Sequence, residues 1–137
     1  RAGFPSPSHA RGAAAFAFSA SAAVGVDVEP RARASVMDEL ATQVAHPAEH
    51  AALPCGAARN EELLALWVRK EAFLKAAGVG LACEMNTFRA PAGEVLDTGW
   101  AGAAVPQPVR LSAWDLHPHF HVALASAPGL PVHALRL

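Results

Sequence analysis

Three carboxylates and a lysine stand where they could do chemistry together. Asp27 and Glu29 lie in Gly-Val-Asp-Val-Glu-Pro at residues 25–30; Glu71 and Lys75 lie in the segment Leu-Trp-Val-Arg-Lys-Glu-Ala-Phe-Leu-Lys at 66–75. Alternation in the first segment makes it a strand, which points Asp27 and Glu29 to one face, roughly 7 Å apart. The second segment reads as helix, where Glu71 and Lys75 are i,i+4 neighbours. Alone, the acids of the strand fit solvent-facing positions, and the Glu71–Lys75 pair fits an ordinary exposed helix pair. Converging, three acids and one ammonium point to a hard cation holding a phosphate-bearing ligand.

The elements that must position these groups can be read from patterning. Residues 1–12 are rich in Pro, Ser and Gly and are expected as loop. Residues 13–20 place Phe16 and Phe18 on one face at strand period, and residues 24–29 form the next strand, so the two are expected to pair as an antiparallel hairpin. Val36, Leu40 and Val44 mark a helix from Ser35, as its N-cap, to about Ala45. His46-Pro47 ends it, with a helical turn over Ala48–Leu53. The main helix is expected over Asn60–Ala77, closed by Gly78. Its core stripe is Leu63, Leu66, Trp67, Phe73, Leu74 and Ala77, with Glu71 and Lys75 on the flank beside Leu64 and Val68. Lys70 falls inside the apolar stripe, against binary patterning. Short strands follow near Thr87–Arg89 and Val132–Leu137, flanking Val109–Leu116 and Phe120–Ser126, which are joined by His117-Pro118-His119. The fold class is α+β: an antiparallel sheet with one long helix packed across it.

Composition narrows the function. The chain has 137 residues, enough for one domain with a core, and is 53% hydrophobic, much of it alanine. A net charge of −1 gives no broad basic field, so neither nucleic acid nor an anionic membrane is expected as partner. No apolar run reaches the roughly 20 residues that span a bilayer. Cys55 and Cys83 share no motif and are expected as free thiols, and the expected compartment is the cytoplasm.

These segments resemble the 4′-phosphopantetheinyl transferases, in particular the larger pseudo-dimeric class typified by the surfactin-synthetase-activating enzyme. The resemblance rests on Ser8-His9, then Gly25-Val26-Asp27-Val28-Glu29, then Trp67 through Leu81, in that order and spacing over about residues 4–90. His46-Pro47-Ala48-Glu49 is similar to a further segment of the family, without its aromatic. The fold implied is half of the pseudo-dimeric transferase fold. The activity implied is transfer of the phosphopantetheine arm of coenzyme A to a serine of an apo acyl or peptidyl carrier protein, with release of adenosine 3′,5′-bisphosphate.

The same resemblance implies roles. Asp27, Glu29 and Glu71 would hold Mg²⁺, with Mn²⁺ as an alternative, because such ions take oxygen ligands and keep waters. Lys75 would contact phosphates as a point charge. Glu71, directly or through water, would help remove the serine proton. Ser8 and His9 would bind a phosphate of coenzyme A, and Lys70 would pair with the ligand or with the acids. Members of this class build their site between two similar halves, so residues 1–137 are expected as the catalytic C-terminal half with the N-terminal half largely absent. Arg1 and Arg11 are then the nearest basic residues for the 3′-phosphate. The alternative is a non-catalytic half that binds metal and coenzyme A and needs an N-terminal half or partner. A third reading is a zinc site at His117, His119 and His121, whose i, i+2, i+4 spacing on a strand would aim three imidazoles at one face.

Overall fold

A computed structural model describes residues 3–137 of the protein; Arg1, expected near a phosphate, lies outside them. The architecture is α+β, an antiparallel sheet crossed by one long helix. In chain order come β1 (Phe4–Ala10), β2 (Ala13–Ser19) and β3 (Gly25–Pro30), then α1 (Ala41–Val44), α2 (Pro47–Ala51) and α3 (Ala57–Ala77). The chain continues with β4 (Val95–Asp97), β5 (Pro108–His117) and β6 (Phe120–Ser126). A four-stranded sheet has the order β3-β6-β5-β4, and β1 and β2 form a separate two-stranded hairpin.

The pairing differs from the expected hairpin of residues 13–20 with 24–29. β2 pairs instead with β1, a segment expected as loop, in unbroken register from Phe4↔Ser19 to Ala10↔Ala13. β3 pairs with β6, placing Asp27 opposite Ala123 and Glu29 opposite His121. The prolines misled. Pro5 and Pro7 cannot donate to a ladder, yet a strand at a sheet edge tolerates them when their nitrogens face away from the partner.

β1 lies along the free edge of β3 and satisfies it with side chains. Ser6 Oγ accepts from the Val26 amide at 3.0 Å, and Ser8 Oγ accepts from the Val28 amide at 3.2 Å. An edge of open donors is thereby closed without backbone pairing.

The expected helix over 35–45 is a 3₁₀ helix from Arg31 to Leu40 followed by the single turn of α1. Ser35 does not cap it; its hydroxyl donates back to the Ala32 carbonyl. His46-Pro47 does end this region, and α2 opens with a capping box in which Glu49 accepts from the His46 amide at 2.9 Å. Residues 85–87 form a 3₁₀ turn rather than a strand, and 132–137 join no strand among the described residues, although Arg136 donates to the Leu116 carbonyl.

α3 begins at Ala57, three residues before the expected start, and ends as expected at Gly78, whose φ of +72° closes a left-handed cap. Its buried surface is wider than one stripe. Leu64 and Val68, expected at the border, are as inaccessible as Leu63 and Phe73. The reason is that β3 and β6 cover one side while the 3₁₀ segments and Phe88–Ala90 cover another. Phe73, Phe88 and Trp100 form an aromatic cluster with centroids 5.1–5.4 Å apart. At Gly25 helix and strand touch: a Cβ there would strike the Ala72 carbonyl oxygen and the Ala76 nitrogen. That contact sets the depth at which β3 offers its carboxylates to α3.

Candidate active site

Gly25, Asp27 and Glu29 alternate along β3 onto the face covered by α3, so the carboxylates meet the helix side that carries Glu71 and Lys75. Asp27 is the centre. Its Oδ1 accepts from Ser8 Oγ and from Lys75 Nζ, both at 3.1 Å. The Lys75 ammonium also donates to the Val26 carbonyl at 3.0 Å and remains about a third exposed. The other oxygen, Asp27 Oδ2, is buried and has no partner among the described residues. An unpaired buried carboxylate oxygen is costly unless something binds it.

The electrostatics record that cost. Burial pushes the Asp27 carboxyl up from 3.8 to about 6; Lys75 and Ser8 pull against the shift and the Glu71 charge adds to it. Glu29 is raised as well, first by burial and further by Glu71, with Arg33 and Lys75 opposing. Glu71 is thus near enough to disturb both acids of β3. Three carboxylates crowding one ammonium carry excess negative charge, which a divalent cation would relieve.

The acids are not drawn into one cage. Among the described residues no three His, Cys, Asp or Glu side chains stand in a ready metal geometry. Glu71 Oε1 is held by Trp67 Nε1 at 3.1 Å. Glu29 leans toward Arg33 at 3.9 Å, and that guanidinium stacks 4.1 Å over the Trp67 ring. The donor set is all carboxylate oxygen and suits a hard ion.

The remaining expected residues lie elsewhere. Ser8 belongs to the cluster, but His9 follows it on β1 and points to the opposite, exposed face of the hairpin, across from Ala14. Arg11 is exposed in the turn between β1 and β2. Lys70 corrects the expectation of a ligand contact. Its side chain is fully buried, and Nζ donates to the carbonyls of Val44, Met85 and Phe88 and to Glu49 Oε1, all within 2.8 Å. Burial lowers its pKa while the bond to Glu49 holds it up. The ammonium is committed to the protein interior and is out of reach of any ligand at Asp27. Glu49 is a helix-start acid and also the counter-ion of this lysine, with Oε2 accepting from the Ala90 amide.

The three histidines do not converge either. The rings of His117 and His119 lie 5.5 Å apart and are tilted by 50°, whereas His121 turns to Glu61 and Arg31. Pro118 and His119 form the turn between β5 and β6, so His117 and His121 stand on different strands and the single-strand alternation on which the zinc geometry depended is absent. Cys55 and Cys83 are free thiols, as expected. No helix among the described residues is long and apolar enough to cross a membrane.

Sequence reasoning missed Ser6, Trp67 and Arg33. Only Trp67 left a legible trace, its i,i+4 spacing to Glu71. No curated protein matches this chain. A family model described as the 4′-phosphopantetheinyl transferase superfamily matches residues 23–125, a span that includes Asp27, Glu29, Glu71 and Lys75. The chain belongs to the 4′-phosphopantetheinyl transferase superfamily.

Proposed function

We infer that the chain carries the catalytic half of an Mg²⁺-dependent transferase. It would move 4′-phosphopantetheine from coenzyme A to the serine of an apo acyl or peptidyl carrier protein. The observation that supports this most is the buried, partnerless Oδ2 of Asp27 beside Glu29, Glu71 and Lys75. Asp27, Glu29 and Glu71 would hold the metal, which when bound supplies positive charge to the pyrophosphate oxygens.

The chain's own groups do the rest. Lys75 uses two of its three protons on Asp27 and Val26 and has one left, on a partly exposed ammonium, for a phosphate oxygen. Ser8, donating to Asp27 Oδ1, fixes that carboxylate's rotamer. Glu71 keeps Oε1 on Trp67 and has Oε2 to accept the proton of the attacking serine hydroxyl. The serine oxygen bonds to the β-phosphorus as the bond to the bridging oxygen breaks, and adenosine 3′,5′-bisphosphate leaves. His9 lies on the outer face of β1, so its contact with a phosphate would need a ligand or partner surface reaching that face.

A half-module reading, in which an N-terminal half or partner completes the coenzyme A contacts, draws on the same outward His9. Incubation with coenzyme A, Mg²⁺ and an apo carrier protein, followed by intact mass, separates the two readings. A gain of one phosphopantetheine, lost in Asp27→Ala and in Glu71→Ala, supports the transferase. Full activity in both variants refutes the site.

A further inference from the structure

Across α3 from the carboxylates lies a second group of charges. Arg69 and Glu71 are two residues apart, so their side chains leave the helix about 160° from one another. Glu71 is near Asp27 and Glu29, and Arg69 lies on the far side, against α2 and the segment that follows Phe88. A cavity of about 250 Å³ opens there. Ala52, Leu53, Leu66 and Pro91 give it apolar walls.

Arg69 lines this cavity while being only 7% exposed, a rare place for an arginine. Its Nε donates to the Ala90 carbonyl at 2.8 Å, which fixes the guanidinium plane. Nη2 reaches Glu62 Oε2 only at 3.4 Å, against about 2.7–2.9 Å for a fully formed bond between such charges. Nη1 has no partner among the described residues. Arg89, exposed where it lines the cavity, forms no ion pair or side-chain hydrogen bond among the described residues either. Of the two acids present, Glu49 is neutralised: Lys70 and the amides of His46 and Ala90 occupy both its oxygens. Glu62 is half exposed and held by its one long contact. Two guanidinium charges therefore meet one loosely held carboxylate. A desolvated guanidinium with open donors is costly unless an anion reaches it.

We propose that this cavity is a binding site for a short-chain aliphatic carboxylate, separate from the Asp27 cluster. The head group follows from the donors. Among the lining side chains only the two arginines carry any, and the amides of Ala48 and Ala90 already donate to His46 Nδ1 and to Glu49. A planar fork matches a planar carboxylate with two parallel bonds, whereas a phosphate dianion calls for more donors than the cavity offers. Glu62 stands as the protein's own carboxylate at Nη2; the ligand takes Nη1 and Nη2 together and displaces Glu62 to solvent. The tail follows from the walls and the volume. At about 30 Å³ each, the share of a water molecule, about 250 Å³ holds roughly eight non-hydrogen atoms, those of a six-carbon acid. The site uses no residue of the Asp27 cluster or of the β1–β2 hairpin, so it stands independently of the transferase reading.

Titration of the ¹⁵N-labelled protein with sodium hexanoate, followed in the amide and arginine Nε resonances, tests the assignment. Saturable shifts are expected at Arg69 Nε and at the Leu53, Leu66 and Ala90 amides, with a Kd of about 0.1–10 mM, the range open to so small a ligand. Glu62→Ala removes the competing carboxylate and is expected to lower that Kd roughly two- to fivefold; Arg89→Gln is expected to raise it by a similar factor. Both side chains are exposed, so far-UV circular dichroism should not change in either variant. 1-Hexanol, with the same chain and no charge, is expected to give no saturable shift, and inorganic phosphate at equal concentration to leave hexanoate binding unchanged. Absence of a saturable shift at Arg69 up to about 50 mM hexanoate overturns the proposal. So does hexanol that binds as tightly, phosphate that competes on equal terms, or a Kd indifferent to both substitutions.

Discussion

Replacing Asp27 by Asn should stabilise the metal-free protein while abolishing transfer. Burial raises the Asp27 pKa from 3.8 to about 6, so the folded state holds its proton more tightly than the unfolded chain does. The stability this contributes is complete below about pH 4 and is lost as pH rises through about 6. Above that, the native protein carries a buried charge that the unfolded chain carries in water. Two pKa units correspond to about 3 kcal/mol at about 1.4 kcal/mol each. Asn keeps an oxygen to accept from Ser8 and Lys75 but never ionises, so Asp27→Asn should gain on the order of 2–3 kcal/mol at pH 7.5 and close to nothing at pH 4. For a domain of this size that is a rise in Tm of roughly 10 °C. Calorimetry with chelator present, at pH 4 and pH 7.5, reads the effect directly. The wild type should also gain stability on addition of Mg²⁺ at pH 7.5, and the variant should not. A variant less stable than the wild type at pH 7.5, or a difference equal at both pH values, would show that Asp27 carries no buried-charge penalty.

Lys70→Met should cost about 3–5 kcal/mol in urea denaturation, because Glu49 and three carbonyls lose their donor; adding Glu49→Gln should cost much less than it does alone, a coupling that separate sites would not show. Gly25→Ala should push β3 from α3, cost roughly 1–3 kcal/mol by overpacking, and remove the Mg²⁺-induced rise in Tm. Trp67→Phe keeps a ring beneath Arg33 and deletes only the bond to Glu71; stability should fall by about 1 kcal/mol and transfer should slow with coenzyme A binding unchanged by calorimetry.

The site was legible where it depended on local periodicity. Alternation put Asp27 and Glu29 on one face, helical spacing put Glu71 beside Lys75, and Gly78 closed α3 where its freedom at positive φ was needed. Non-local pairing was not legible. Nothing in residues 13–30 announces that β2 turns back to a proline-bearing strand while β3 pairs with residues nearly a hundred positions on. The apolar stripe flagged Lys70 as anomalous, but its four acceptors come from three separate segments, and backbone carbonyls carry no sequence signature. His9 shows the limit of adjacency. Next to Ser8 in the chain, it faces the other way because a strand alternates.

Lys70 and Glu71 are consecutive on α3, yet one is pinned inside the protein and the other lies close enough to Asp27 and Glu29 for its charge to raise both. The four bonds of Lys70 therefore act as a stop against rolling of the helix. At a radius of 5–6 Å from the axis, a roll of 10° would carry the Glu71 carboxylate by about 1 Å, and a displacement of that size can cost about a hundredfold in rate. The segment that holds the stop, Met85 to Ala90, makes no contact with Asp27, Glu29 or Lys75 by hydrogen bond. Substitutions in that segment would surface as slow turnover in a protein that still folds, with the fault lying in the angular setting of one helix.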